Sequence, residues 1–274
     1  MLNIPKNPTD KSFADGKILQ SLSDGIGIIT FNNPEKRNAM SLDMWEGLGQ
    51  SLVELRDDPE VRVVIMVGAG DKAFVSGADI SQFEKTRHNA EASEQYSKRS
   101  AAQRALLADY PKPTIACIRG FCLGGGMQVA MLADIRFAAE NSQFGIPAAK
   151  LGIAYGYDGL RNLVSLVGPS WARLIMYTGM RIDSAEAQRI GLVDRVLPDA
   201  ELWDATLKIA RTISGNAPLA IKAAKITIAQ VLKDPGARDM DAIKAIGTAC
   251  MDSEDFREGR RAFMDKRKPV FRGN

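Results

Sequence analysis

The sequence has few residues of the types that build metal centres, redox centres and nucleophilic triads. It contains three cysteines and one histidine in 274 residues. The cysteines form neither a CxxC pair nor a metal-type spacing, and Cys117 and Cys122 stand in apolar company, as buried thiols do. The single histidine, His88, lies in the polar run "EKTRHNAEASEQ", which predicts a solvated helix face. A Ser-His-Asp triad or a histidine metal site would depend on this residue alone, so we expect neither, and no metal.

Strong charge and long apolar runs are also absent. The net charge of +3 is too small to argue for nucleic acid or a membrane surface as a partner. No uninterrupted apolar stretch reaches the ~18 residues of a membrane span. The opening residues, "MLNIPKNPTDKSF", hold no apolar signal segment. The sequence therefore predicts a soluble protein of cytoplasmic type.

The order of the predicted elements indicates an α/β core followed by helices. Strand, strand and helix signals recur through the first half, beginning with a hairpin over residues 17–34 that turns at Asp24-Gly25. A polar helix is predicted over residues 84–109. Helical periods dominate from about residue 160 onward. We expect an α/β fold with a core over residues 1–200 and a helical C-terminal region over residues 201–274.

The stretch "GFCLGGGMQVAMLADIRF", residues 120–137, is the most informative. Gly124, Gly125 and Gly126 stand between a predicted buried strand and a predicted helix, where glycine lets backbone N–H groups approach a ligand. The run lacks the Lys-Ser/Thr of a P-loop and the spacing of a dinucleotide fingerprint. A second strand ends in a glycine turn at "AFVSGADI". Two such turns predict two N–H donors at one carbonyl oxygen, an oxyanion hole; tight helix–strand packing is the alternative.

Three motifs together resemble the enoyl-CoA hydratase/isomerase (crotonase) family: "AFVSGADI", "IACIRGFCLGGGMQVAMLADIRFAAENSQFGIP" and "EGRRAFMDKRKPVF". They occur in order over nearly the whole chain, from "ITFNNPEKRNAM" to the C-terminus. The resemblance implies a spiral of ββα units, a helical C-terminal region that contacts CoA and assembles trimers or dimers of trimers, and a role in fatty acid metabolism. It implies a coenzyme A thioester as substrate, with no separate cofactor. It places the oxyanion-hole amides at Ala78 and Gly125.

The two glutamates of a family hydratase are missing. The resemblance places them at Gln128 and Ala148, and neither side chain titrates. Hydration needs a base that activates water and an acid that protonates the alpha carbon, each worth roughly 10²–10⁴ in rate. The sequence therefore disfavours a true hydratase and also an isomerase with a single glutamate.

The segment "LGIAYGYDGLRNL", residues 151–163, offers Tyr155, Tyr157, Asp158 and Arg161 instead. A tyrosine at position 155 is similar to the methylmalonyl-CoA decarboxylase-like branch, although that branch has histidine where this chain has Ala78. Decarboxylation of a malonyl-type CoA ester generates an enolate without a base, and the oxyanion hole stabilises it. This reaction is the preferred hypothesis, with the Tyr155 hydroxyl binding the carboxylate or relaying a proton. The alternative is that both tyrosines only pack, and that Arg161 pairs with Asp158.

Three other functions stay open. In the first, Asp158 acts as base or nucleophile for isomerisation, hydrolysis or another acyl-CoA conversion. In the second, a water held by Gln128 supports weak hydration. The third is acyl-CoA binding without turnover, against which the retained oxyanion turns argue.

Basic residues at both ends of the chain are expected to contact CoA. Lys36 and Arg37 lie where the family loop touches the nucleotide, and Phe263 and Lys266 match positions that meet the adenine and the phosphates. The lysine common after "GADI" is Ser81 here, and Lys85 is the expected substitute. The other expected contacts to the substrate flank the oxyanion turns: Ala39, Ser76, Gly77, Asp79, Ile80, Gly124 and Ala148.

A calorimetric titration tests the expected acyl-CoA binding. We expect acetyl-CoA and free CoA to bind, and Lys266→Ala to weaken binding about two- to fivefold, because an exposed phosphate contact is worth little. Added salt should weaken it further through screening. Absence of binding at millimolar concentration would contradict the prediction.

Overall fold

The computed structural model describes residues 10–82 and 88–274. Within them, eleven strands form two sheets. In chain order the strands are β1 (Lys11–Phe13), β2 (Ile18–Ser23), β3 (Ile26–Phe31), β4 (Val63–Gly68), β5 (Ala73–Val75), β6 (Thr114–Ile118), β7 (Phe121–Leu123), β8 (Ile135–Ala139), β9 (Gln143–Gly145), β10 (Arg181–Asp183) and β11 (Arg195–Leu197). The large sheet has the order β1-β2-β3-β4-β6-β8-β11, and the small one β10-β9-β7-β5.

The predicted hairpin at the start of the large sheet is confirmed. β2 and β3 pair antiparallel, with Ser23 opposite Ile26. Asp24 and Gly25 both have positive φ, 52° and 75°. Positive φ at both central residues defines the turn whose twist suits a two-residue hairpin.

The middle strands of the large sheet are parallel and buried on both faces. Ile28, Ile65 and Ile115 lie side by side in register on β3, β4 and β6. All three are fully buried in one apolar cluster, while their neighbours along each strand enter a second cluster on the opposite face. Continuous apolar runs such as "VVIMV" are typical of parallel strands covered on both sides.

The chain alternates between the two sheets, which produces the expected spiral of ββα units. β4 continues into β5, β6 into β7 and β8 into β9, so each pair adds one strand to each sheet. Helices follow these pairs. They are α1 (Leu42–Asp57), α2 (Ala90–Ala108), α3 (Gly125–Leu132), α4 (Tyr157–Thr178), α5 (Ser184–Arg189), α6 (Asp199–Ser214), α7 (Pro218–Val231), α8 (Met240–Asp252) and α9 (Glu254–Met264).

The second half differs from the all-helical expectation. β10 and β11 interrupt it, and β11 extends the large sheet by pairing parallel to β8. α6, which lies across the predicted boundary at residue 200, packs Leu202, Trp203 and Ala210 on the buried strands. The division at residue 200 stays a prediction. Among the described residues, no helix combines the length and apolarity that a membrane span needs.

Asn38 fixes the loop between β3 and α1. Its side chain is fully buried, and its φ of 57° is left-handed. Its Nδ2 donates to the carbonyls of Ala73 (2.8 Å) and Ala69 (3.0 Å), and its Oδ1 accepts from the N–H of Asn33 (2.9 Å). The Asn38 amide therefore holds this loop against Ala69 and Ala73, which lie at the two ends of the β4–β5 connection.

Replacement of Asn38 should destabilise the fold. Asn38→Gly keeps the left-handed backbone but removes the partner of the buried Ala73 carbonyl and of two half-buried groups, the Ala69 carbonyl and the Asn33 N–H. We therefore expect a loss of about 2–3 kcal/mol in the free energy of unfolding by urea. Asn38→Ala should lose about 1 kcal/mol more, because an L side chain is strained in that conformation. Losses below about 0.5 kcal/mol in both variants would show that the amide is dispensable.

Candidate active site

Two glycine turns meet where β5 and β7 end. Ser76-Gly77-Ala78 follows β5, and Gly124-Gly125 follows β7. A methyl group built on Gly124 would lie 3.7 Å from Gly77 Cα, and one built on Gly125 would lie 3.8 Å from the Ala78 nitrogen. The structure thus brings together the two backbone segments that the sequence singled out.

The three consecutive glycines have three different roles. Gly124 has φ 48° and ψ −104°, a conformation in which a side chain is strained. A side chain at Gly126 would lie 2.1 Å from the Val75 carbonyl oxygen, so only glycine permits this approach of α3 to β5. Gly125 meets nothing closer than 3.5 Å and contributes the first N–H of α3. Helix–strand packing and donor placement are therefore combined in one motif.

Hydrogen bonds of its neighbours set the direction of the Ala78 N–H. Met40 N donates to Gly77 O (2.8 Å), and Asp79 N donates to Met40 O (2.9 Å), which forms a parallel bridge between Met40 and Ala78. Ala78 itself then presents its N–H on the opposite side of the strand. Within the described chain, neither this N–H nor that of Gly125 has an acceptor. Two adjacent unpaired donors, one at a helix start, form the arrangement that stabilises an oxyanion.

The residues expected to contact CoA near this site lie together. Lys36 Nζ is 2.9 Å from Asp79 Oδ2 and 2.9 Å from Ser81 Oγ. Ser76 N donates to Arg37 O (3.1 Å), and the Arg37 guanidinium lies 5.4 Å from the centre of the Phe121 ring. Ala39 is half-buried beside them, and Ile80 is exposed. Lys85 lies outside the described residues.

Asp79 is a buried carboxylate with an exposed partner. Burial raises its pKa, but the hydrogen bonds from Lys36 and Ser81 outweigh this, so the net pKa lies below the usual value. The ammonium of Lys36 therefore keeps the Asp79 carboxylate charged, and their ion pair holds the turn next to Ala78.

Phe263 and Lys266 lie at the end of α9, away from the turns. Phe263 is 82% exposed, and no hydrogen bond, ion pair or ring contact in the described chain joins either residue to the oxyanion turns. Their contact with CoA stays a prediction.

Two carboxylates of α9 hold the segment that follows this helix in place. Glu258 accepts from Arg267 and from the N–H of Val270, and Asp255 accepts from the N–H groups of Arg272 and Gly273.

Gln128 and Tyr155 are both half-buried and lie side by side. The Tyr155 hydroxyl is inaccessible to solvent and has no hydrogen-bond partner in the described chain; the Gln128 amide lies beside it without hydrogen-bond geometry. Burial raises the pKa of Tyr155 well above its usual value, and Gln128 and Arg104 lower it by less. Gly159 leaves room for the ring, because a side chain there would lie 2.5 Å from Tyr155 Cε1. Ala148 is buried and apolar.

Asp158 lines a cavity of about 220 Å³ between α2, α3 and α4. Gln128 lies in the same wall, and so do Arg104, Asp109 and Arg161. The alternative role of Asp158, an ion pair with Arg161, is not formed in the described chain. Tyr157 is 77% exposed, so its interpretation as a packing aromatic is wrong. Arg104 was missed from sequence because nothing in the polar helix marks which of its faces meets α3.

The class of protein follows from the two paired turns on a ββα spiral. A sequence model of the family described as enoyl-CoA hydratase/isomerase matches residues 21–274. The chain belongs to the enoyl-CoA hydratase/isomerase family, and the resemblance based on its motifs is confirmed.

Particular relatives cover almost the whole chain. A short-chain-enoyl-CoA hydratase of Clostridium acetobutylicum is 36% identical over 247 residues, 89% of this chain and 92% of that protein. A crotonyl-CoA hydratase of Syntrophomonas wolfei is 35% identical, with 93% and 97% covered. The crystal structure of an enoyl-CoA hydratase/carnithine racemase from Magnetospirillum magneticum has a TM-score of 0.90 at 35% identity, covering 94% and 96%. Fold and family therefore agree.

The pH dependence of stability tests the Asp79 contact. Because the folded-state pKa lies below the unfolded one, the stabilisation is complete above the unfolded pKa and is lost as pH falls through the folded pKa. We expect Asp79→Asn to cost about 1–3 kcal/mol at neutral pH and to flatten the acid limb of the stability curve. Asp71→Asn, at an exposed position, is the control. Parallel curves for the wild type and Asp79→Asn would contradict the assignment.

Proposed function

We propose that the protein hydrates an enoyl-CoA thioester or dehydrates the corresponding 3-hydroxyacyl-CoA. In this proposal the thioester oxygen of the substrate lies between the N–H groups of Ala78 and Gly125. The observation that carries this proposal is the pair of unpaired donors where the two glycine turns meet. The names of both relatives above, which are hydratases, support hydration over decarboxylation as the reaction.

The paired donors act on the charge that develops during the reaction. When water adds to C3 of the enoyl group, electrons move to the thioester oxygen and form an enolate. Preorganised N–H groups stabilise that oxygen without reorganising, and loss of one such donor typically costs 10²–10³ in rate. Dehydration passes through the same enolate in reverse.

Asp158 is the proposed proton carrier. Gln128 and Ala148 cannot titrate, whereas the Asp158 carboxylate shares the cavity wall with Gln128. Asp158 takes a proton from water as the oxygen attacks C3, and returns a proton to C2 of the enolate. The Gln128 amide orients the water. Because one carboxylate serves both steps, we expect turnover below that of an enzyme with two acid–base groups.

An assay of crotonyl-CoA hydration tests this function, with the reaction measured as the loss of enoyl-thioester absorbance. We expect Asp158→Asn to reduce kcat by about 10²–10⁴, as loss of a general base does. Asp109→Asn, in the same cavity wall, is the matched control and should change kcat little. Gln128→Glu restores a carboxylate where the family has one, and should raise kcat.

Two outcomes would contradict the proposal. One is crotonyl-CoA hydration that Asp158→Asn leaves unchanged. The other is binding of acyl-CoA with no hydration and no dehydration. Hydrolysis would be recognised separately by the release of free CoA thiol.

Decarboxylation is the second candidate, on one specific observation. The Tyr155 hydroxyl is buried and unpartnered, beside the neutral Gln128, which suits a substrate carboxylate that is about to lose its charge. If this is the reaction, methylmalonyl-CoA should release CO₂, and Tyr155→Phe should slow that release about 10–10³-fold. Nearness to the decarboxylase-like branch and assembly into trimers or dimers of trimers stay predictions.

A further inference from the structure

A second cavity, of about 360 Å³, lies where β4 and β6 begin. It shares no lining residue with the cavity of Gln128 and Asp158. Its wall joins the starts of β4 and β6 to the start of α7 and to the segment that follows α9. Five basic residues line it and no acidic one does: Arg56, Arg62, Lys112, Lys222 and Arg272.

Most of this positive charge is not neutralised by carboxylates. Arg56 pairs with Asp57, with Nε 2.8 Å from Oδ1. In the described chain, none of the other four cations forms an ion pair within 4.0 Å. By contrast, Arg257, Arg261 and Arg267 on and after α9 all pair with glutamates.

Backbone carbonyls hold two of these cations in position. Lys112 Nζ donates to Leu55 O (2.7 Å) and Asp58 O (2.6 Å), and Arg62 Nη2 donates to Arg272 O (3.3 Å). A carbonyl fixes a cation without cancelling its charge. Burial lowers the pKa of Lys112, and the nearby Asp58 and Asp57 carboxylates only partly compensate. A bound anion near Lys112 would favour its charged form and raise this pKa again.

The rest of the wall is apolar and stiff. Its apolar members include four prolines, which carry little side-chain freedom to lose on binding: Pro59, Pro111, Pro113 and Pro218. Ile213 and Leu219 lie among them. An inorganic anion alone needs no such wall, whereas a phosphate ester with a flat apolar group uses both parts.

We propose that this cavity binds an organic phosphate of the nucleoside di- or triphosphate type. The exposed side chains of Lys222 and Arg272, with Arg62 behind them, receive the phosphates, because guanidinium groups and phosphates form paired charge-assisted hydrogen bonds. The apolar wall takes the base. This site is separate from the thioester site and goes beyond the proposed function.

Calorimetric titration with ADP tests the proposal, with pyrophosphate and adenosine as partial probes. We expect ADP to bind more tightly than either probe, and added salt to weaken it. The double variant Lys222→Ala/Arg272→Ala should raise the Kd for ADP about tenfold or more. Lys208→Ala/Lys244→Ala removes the same charge from exposed positions outside the cavity and should change Kd less than about twofold.

Two results would overturn the proposal: no binding of ADP at millimolar concentration, or equal Kd in the cavity variant and the wild type. Neither Lys222 nor Arg272 belongs to the proposed catalytic site, so the cavity variant should retain the wild-type activity toward crotonyl-CoA. Unchanged activity together with weakened ADP binding excludes misfolding as the cause. Because ADP binding is measured without turnover, its result does not depend on whether the hydratase proposal is correct.

Discussion

The contact of Gly126 with the Val75 carbonyl brings α3 closer to β5 than any side chain would permit. This approach sets the start of α3, and with it the Gly125 N–H, beside the turn that carries Ala78. In the parallel bridge between Met40 and Ala78, the Ala78 N–H points away from Met40. Packing and backbone hydrogen bonds thus fix the two donors, and the proposed binding of a thioester oxygen between them uses no ionisable side chain. The electrostatic part of the site depends on the fold, not on side-chain chemistry.

Proton transfer depends on side chains, and here the site departs from the two-glutamate pattern of a family hydratase. The two positions that the resemblance assigns to those glutamates carry the neutral Gln128 and the buried, apolar Ala148. Tyr155 lies beside Gln128 with its hydroxyl unpartnered, and Asp158 follows three residues later, in the first turn of α4 and in the cavity wall. In the proposed reaction, backbone donors stabilise the enolate and side chains transfer the proton, so the second function can change without the first. This is the reason that family membership and reaction are distinct conclusions for this chain.

Local sequence signals predicted the features that depend on local physics. Asp24-Gly25 specifies its hairpin turn, the apolar runs specify buried parallel strands, and the paired glycine turns specify the meeting of β5 and β7. The three-residue strands β10 and β11 were missed, because so short a run shows no periodicity and gains its structure from the sheet edge it joins. Asn38 and Arg104 were also missed, since their importance arises from contacts with residues far along the chain. The fold of the segment after α9 also depends on such contacts, because Asp255 and Glu258 accept hydrogen bonds from its backbone.

The vibrational frequency of a bound thioester carbonyl measures directly whether the Ala78 and Gly125 N–H groups polarise it. Butyryl-CoA labelled with ¹³C at the carbonyl lacks the double bond needed for hydration, so it reports on binding without reaction. Two N–H donors at the oxygen should shift the carbonyl stretch to lower frequency than in free butyryl-CoA in water, and Gly125→Pro, which removes one donor, should shift it back. A carbonyl stretch in the complex that is unchanged from the free thioester, or raised above it, would contradict an oxyanion hole at these two residues.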